Sequence, residues 1–155
     1  MSLVTSADPV GLLLEQHLAF GDLFARHQEA LLDRRLEDGT RLLEEYSEHL
    51  RAHIAVEEQA LLPKCGGNGS SRWPPEVYRA EHRRIEQLLE KARARLRREA
   101  RQGITAAALI ALLDEERTLK RLVEHHHERE ETALFAEVFP GAQRSVTRMK
   151  AGRQP

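Results

Sequence analysis

The sequence predicts an all-α protein, an up-down-up-down four-helix bundle with a metal site in its core. Three observations predict it. Apolar residues recur at three-and-four spacing along four long segments. Pro and Gly fall between those segments, and strand-like alternation is hard to find. A short motif, His53-x3-Glu57-Glu58, returns about seventy residues later as His126-x3-Glu130-Glu131.

The first helix opens at Asp8 as N-cap with Pro9 at N1, where a missing N–H costs nothing, and runs to about Arg35 before Asp38-Gly39 ends it. Its inward stripe is Leu13, Leu14, His17, Phe20, Gly21 and Phe24. A second helix starts near Thr40 and continues to about Leu62, where Pro63 and the cluster Gly66-Gly67-Asn68-Gly69 stop it. Its stripe is Leu43, Tyr46, Leu50, His53, Glu57 and Leu61. The third starts around Pro74-Pro75 and extends to about Arg101, closed by Gly103, with Tyr78, His82, Ile85, Leu89, Ala92 and Leu96 inward. The fourth follows Thr105 as N-cap and ends before Pro140. It turns Leu112, Leu119, Leu122, Val123, His126, Glu130, Ala133 and Leu134 inward. Short connections between long helices make neighbours antiparallel, and each helix brings one inward histidine. The domain is expected to span residues 8–140. Residues 141–155, with Arg144, Arg148, Lys150 and Arg153 and no acid, read as a disordered basic tail.

The 155 residues suit one domain with one sizeable core. Lys plus Arg number 24 against 25 Asp plus Glu, a formal charge of -1, which carries no electrostatic signature of nucleic-acid or membrane binding. No apolar run approaches the roughly 20 residues that span a bilayer. The single cysteine, Cys65, has no internal disulfide partner and reads as a loop thiol without a role, and the N-terminus lacks the features of a signal peptide. The expectation is a cytoplasmic protein.

The inward polar residues need a common partner. An ionised carboxylate left unpaired in an apolar interior costs several kcal/mol, so four His and two Glu converging in one core call for a divalent cation. Imidazole with carboxylate suits iron, manganese or zinc. An internal His–Glu hydrogen-bond network without metal is the alternative, and the repeat weighs against it. Aligning the halves sets Gln16-His17 against Glu81-His82 and His53-x3-Glu57 against His126-x3-Glu130, a two-fold set of ligand types that suits two metal ions. Ferritin-like bundles pair Glu with a later His, the reverse order. The haem attachment motif C-x-x-C-H and the zinc motif H-E-x-x-H are absent.

His17, the run HIAVEEQALLP from His53, EHRRIEQLL from Glu81 and HHEREETALF from His126 together resemble the hemerythrin-like proteins, or HHE cation-binding domains, over roughly Asp8 to Pro140. The resemblance implies a four-helix bundle enclosing a non-haem di-iron site. It makes His17, His53, His82 and His126 terminal ligands and Glu57 and Glu130 bridges. Oxygen-carrying members have His-x3-His in the third helix and His-x4-Asp in the fourth, whereas this chain has His82-x3-Glu86 and His126-x3-Glu130. A fifth histidine is therefore missing from the expected set. Glu86 is either a seventh ligand or a solvated surface carboxylate; as a ligand it would favour ferric iron and weaken reversible oxygen binding. His127 with Glu131 is the rival to His126 with Glu130. His49 is a further donor or a boundary residue, His27 looks like surface, and Tyr46 and Tyr78 are core aromatics or hydrogen-bond partners of the ligands.

The function expected is therefore that of a protein holding two iron ions, with zinc or manganese as substitutes. It would bind or react with oxygen, peroxide or nitric oxide in sensing, storage or detoxification. The alternative is a non-catalytic metal-binding or protein-interaction bundle. In that case Arg93, Arg95, Arg97, Arg98 and Arg101 of the third helix would offer a contact for an acidic partner.

Overall fold

The computed structural model describes residues 9–66 and 71–141, together with Thr147 and Ala151. Four long helices make up these residues: α1 Pro9–Leu32, α2 Leu36–Val56, α3 Pro75–Gln102 and α4 Ala106–Arg129, followed after a short interruption by α5 Phe135–Val138. No strand occurs among the described residues. The expected Asp8 cap and the basic tail lie outside the described residues, apart from Gly141, Thr147 and Ala151. None of the described helices is long and apolar enough to cross a membrane.

Local chemistry sets most boundaries. Thr105 caps α4 by accepting a hydrogen bond from the Ala108 N–H at 3.1 Å. Pro75 occupies N1 of α3, and Gly103 closes that helix at a φ of +79°. The first break differs from expectation. It falls at Asp33-Arg34-Arg35, with Arg34 at a φ of +62°, and α2 begins at Leu36 with Asp38 and Gly39 inside it. Glu37 and Asp38 complement the positive end of that helix. Gly39 serves packing rather than termination: a Cβ there would stand 2.6 Å from Leu31 Cδ2, so the missing side chain lets α2 approach α1. The Arg34 guanidinium donates to the Ile104 carbonyl at 2.9 Å, which ties this turn to the α3–α4 connection at the same end of the bundle.

Each helix packs against the next, and α1 also meets α4, closing the up-down-up-down ring. Nearly all of the expected inward residues are buried; Gly21 is exposed and Leu122 only partly covered. Apolar side chains form two separate layers. The larger runs from Phe20, Leu50, Ile85 and Val123 towards the Arg34 end. The smaller holds Leu14, Leu61, Tyr78, Leu134 and Phe135. Cys65 belongs to this second layer, its thiol 3.1 Å from the Ser71 hydroxyl. Between the layers, on every helix, sit the inward polar residues: His17, then His53 and Glu57, then His82, then His126 and Glu130.

Two further polar residues, His27 and Glu116, are buried away from the central polar layer. His27, expected at the surface, is fully covered within the larger layer. Its Nδ1 donates to the Gly39 carbonyl at 2.7 Å, and its Nε2 meets Glu116 Oε1 at 2.9 Å. Gln28 donates to the other Glu116 oxygen at 3.2 Å. This network pins α1 to α2 and α4 far from the central polar layer.

Candidate metal centre

Both motif glutamates lie where the backbone departs from α-helical winding. A π-turn spans Glu57–Leu61 and another Glu130–Leu134, with the Leu62 N–H reaching the Glu57 carbonyl and the Phe135 N–H reaching the Glu130 carbonyl. Each wider turn begins at the carboxylate, a placement common for such turns at functional sites. The extra residue re-registers the chain, so Leu61, Leu62, Leu134 and Phe135 all return to the apolar layer below.

The polar layer resolves into two groups that share a carboxylate. His17, His53, His127 and Glu130 form one; Glu57, His82, His126 and Glu130 form the other. All are buried, and within each group the ligand atoms lie within 4.8 Å of one another. The oxygens of each glutamate divide between the groups. Glu57 Oε1 is 2.5 Å from His53 Nε2 while its Oε2 is 3.1 Å from His82 Nε2. Glu130 Oε2 is 3.3 Å from His17 Nε2 while its Oε1 is 3.0 Å from His126 Nε2. Each carboxylate thus faces both groups, with three imidazoles on one side and two on the other.

Outward hydrogen bonds orient the rings. Nδ1 of His17 donates to Glu131 at 3.0 Å, of His53 to Gln16 at 2.7 Å, of His82 to Glu58 at 2.8 Å and of His126 to Glu81 at 2.9 Å. Those four partners obey the repeat seen in the sequence. Gln16 and Glu81 each precede a ring of their own half and hold the later one, while Glu58 and Glu131 each follow a bridging glutamate and reach across to the other half. The Arg129 Nε donates to Glu81 at 3.1 Å and its guanidinium lies 4.3 Å from the Trp73 ring centre, extending the support to the surface.

With the Nδ1 protons committed outward, the inward nitrogens present lone pairs. His17 Nε2 and His53 Nε2 are 3.2 Å apart, and His82 Nε2 and His126 Nε2 are 3.1 Å apart, separations that a shared proton or a shared cation makes favourable. The four carboxylate oxygens and His127 Nε2 are buried without a well-formed hydrogen bond among the described residues. A protein seldom leaves such atoms unpaired, and metal ligation satisfies all of them at once. The donor set, imidazole with carboxylate, suits iron, zinc or manganese, so the residues fit the group.

Charge balance agrees. Burial alone would lower the His126 pKa, but Glu130, Glu57 and Glu81 hold it well above its ordinary value; Glu130 and Glu131 similarly raise that of His17 against burial. Glu57, which burial would raise, is held well below the usual carboxylate range by His126, His53 and His82. Protons thus occupy the positions a cation would take, and metal uptake would release them. His127 is pushed far down by burial and by His17 and His126, so it stays neutral with a lone pair to offer.

Of the expected ligands, His17, His53, Glu57, His82, His126 and Glu130 come together. Glu86 does not. It is paired with Arg51 at 2.5 Å and its side chain is 43% exposed, since one turn beyond His82 the helix face has already rotated toward α2 and solvent. His127, treated as a rival to His126, stands beside it instead: adjacent helical residues diverge by about 100°, and the two rings join different groups of the polar layer. Its ring stacks on His17 at 3.8 Å. The fifth imidazole thus comes from α4 rather than α3. In the alignment of the halves His127 falls opposite Ile54, so the repeat concealed it. His49 and His125 are exposed, and Tyr46 packs against Phe20 and Phe24.

Residues 8–115 match the model of the hemerythrin HHE cation binding domain. That stretch holds His17, His53, Glu57 and His82, while His126, His127 and Glu130 lie beyond it and join through the packing of α4. No match was found among curated proteins or among solved structures. Most of the chain being covered, it belongs to the hemerythrin HHE cation-binding domain family.

Proposed function

We propose that this protein holds two iron ions in the central polar layer and takes a small ligand there, oxygen, peroxide or nitric oxide. Zinc or manganese would fit the same donors. The observation that supports the reading above all is the division of Glu57 and Glu130: each places one carboxylate oxygen toward each group of imidazoles. A pair of bridged irons supplies two-electron redox chemistry and an exchangeable ligand position. The residues do the rest. Five neutral imidazoles and two carboxylates set the charge, and the outward Nδ1 bonds hold ring orientation through a change of oxidation state.

Without Glu86, one side has three imidazoles and the other two, and the less crowded side is where a ligand would enter. No extra carboxylate hardens that position, so the expected bar to reversible oxygen binding does not arise. The apolar layers above and below exclude water, and the mostly apolar groove of about 800 Å³ between α1 and α2 reaches the three-imidazole side at His53, not the side with two.

Four of the five arginines that would serve an interaction face are paired within the protein, Arg93 and Arg97 with Glu44, Arg95 with Glu115 and Arg98 with Glu99, which leaves less free charge for an acidic partner. The deciding experiment is elemental analysis with the visible spectrum, recorded after anaerobic reduction and again in air. Two irons per chain and an air-dependent charge-transfer band are expected. A colourless protein that refuses added ferrous ion would overturn the proposal.

A further inference from the structure

A second opening reaches the metal centre from a different side, and its chemistry is that of a cation. Between α1 and α4 lies a cleft of about 460 Å³ with His17 and His127 among its lining residues. Both rings are buried, so they form its deepest wall. The rim carries Asp22, Glu124, Glu128 and Glu131, and no Lys or Arg lines it. We propose that this cleft is the loading port through which a divalent cation passes from solvent to the three-imidazole side. The proposal rests on the metal-centre reading and adds a route to it.

Two observations independent of the carboxylates point the same way. His127 Nε2 is buried, lacks a hydrogen-bond partner among the described residues and belongs to a ring that lines the cleft. Gly21 lines it too, and a Cβ built there meets no atom within 4 Å. The absent side chain keeps the passage clear, which accounts for a glycine in the middle of α1, where packing does not require one.

Carboxylates of one sign around a cleft with low-dielectric walls focus the field and raise the local cation concentration, accelerating capture by about 10- to 1000-fold. Oxygen ligands at the rim replace water around the ion before imidazole takes over at the bottom, a path from harder to softer donors. Glu131 stands at the junction, since it also accepts from His17 Nδ1 at 3.0 Å. The larger groove toward His53 is walled mostly by apolar residues such as Leu12, Leu13, Phe20 and Val56; it shares Asp22, and its Glu45 is offset by Arg26, so its field is weaker.

The test follows uptake of cobaltous ion by metal-free protein in stopped flow, through the visible absorption of the bound ion. The variants are Gly21→Leu, Gly21→Ala and the triple Asp22→Asn/Glu124→Gln/Glu128→Gln; Glu131 is spared because it holds His17. The triple is expected to load about tenfold more slowly at low salt, with the same final metal content. Added salt should slow the wild type but not the triple. Gly21→Leu should slow uptake and release together, while Gly21→Ala behaves as wild type. Neutralising Glu29, Glu48 and Asp114, exposed carboxylates away from the cleft, should leave the rate within about twofold. The triple alters only exposed side chains, so it decides the matter even if Gly21→Leu fails to fold. Wild-type rates in the triple, with full metal content, would overturn the port and leave the centre standing. A wild type that takes up no metal would overturn both.

Discussion

Replacing His127 by Leu should move stability in opposite directions with and without metal. In the metal-free protein the His127 ring is 7% exposed and its Nε2 has no hydrogen-bond partner among the described residues, a loss of about 1–3 kcal/mol relative to water. Leucine has a similar volume and no polar atom, so it removes that penalty while keeping most of the buried area. It forfeits the stack on His17, 3.8 Å between centroids and 3° from parallel, at about 0.5–1.5 kcal/mol. Taking the middle of each range, the metal-free variant is about 1 kcal/mol more stable than wild type. For a chain of this size that is a Tm higher by about 3 °C. With metal at a hundred times its dissociation constant the wild type gains about 2.7 kcal/mol. Loss of a ligand that weakens binding about 100-fold would leave the variant about 0.4 kcal/mol. Thermal unfolding followed by circular dichroism, once with excess chelator and once with anaerobic ferrous ion, reads both quantities. A metal-free Tm several degrees below wild type, together with an intact metal-induced rise, would refute the placement of His127 as a ligand.

Other consequences follow from named contacts. Glu81→Ala should weaken metal binding about 10- to 100-fold in titration, since it frees the His126 ring and Arg129 together; an unchanged affinity would show that the Nδ1 anchor does not matter. His27→Ala should cost about 3–5 kcal/mol in urea unfolding because the fully buried Glu116 loses its imidazole partner and keeps only Gln28, yet metal content per folded chain should not change. Burial alone would raise the Glu44 carboxyl, but Arg93 and Arg97 hold it below its ordinary 4.5. A depressed carboxylate stabilises the fold above its unfolded value, and that contribution is lost as pH falls through the folded one. The stability difference between wild type and Glu44→Gln should therefore be largest at neutral pH, under about 1 kcal/mol, and close below pH 4.5. A difference that persists in acid would show that Glu44 is not linked to folding.

Much of this could be read along the chain, and the misreadings share a cause. His27 and Glu116 both fit the buried spacing, His27 between Phe24 and Leu31, Glu116 between Leu112 and Leu119. Polarity alone placed His27 at the surface. Periodicity reports where a side chain points, whereas polarity reports what it must find there, and each of these two finds the other across 89 residues of sequence. Glu86 stood between two readings. One turn from His82 it has ligand chemistry, but Arg51 on the neighbouring helix claims it. Gly39 carries the signal of a helix stop, yet it marks a close helix crossing that no local pattern can distinguish from a break.

The sequence by itself determined the four helices, their inward faces and the two-fold recurrence of His-x3-Glu, because spacing along one helix is a local property. It also held the supporting shell in plain sight, as the residues beside each ligand: Gln16, Glu58, Glu81 and Glu131. Only the tertiary structure decided which nitrogen faces which oxygen, that His126 and His127 join different groups of the polar layer, and that Glu57 and Glu130 each open a π-turn. The first two are relations between helices, set by how four surfaces close on one another, and a carboxylate faces both groups only after both halves of the chain have packed around it.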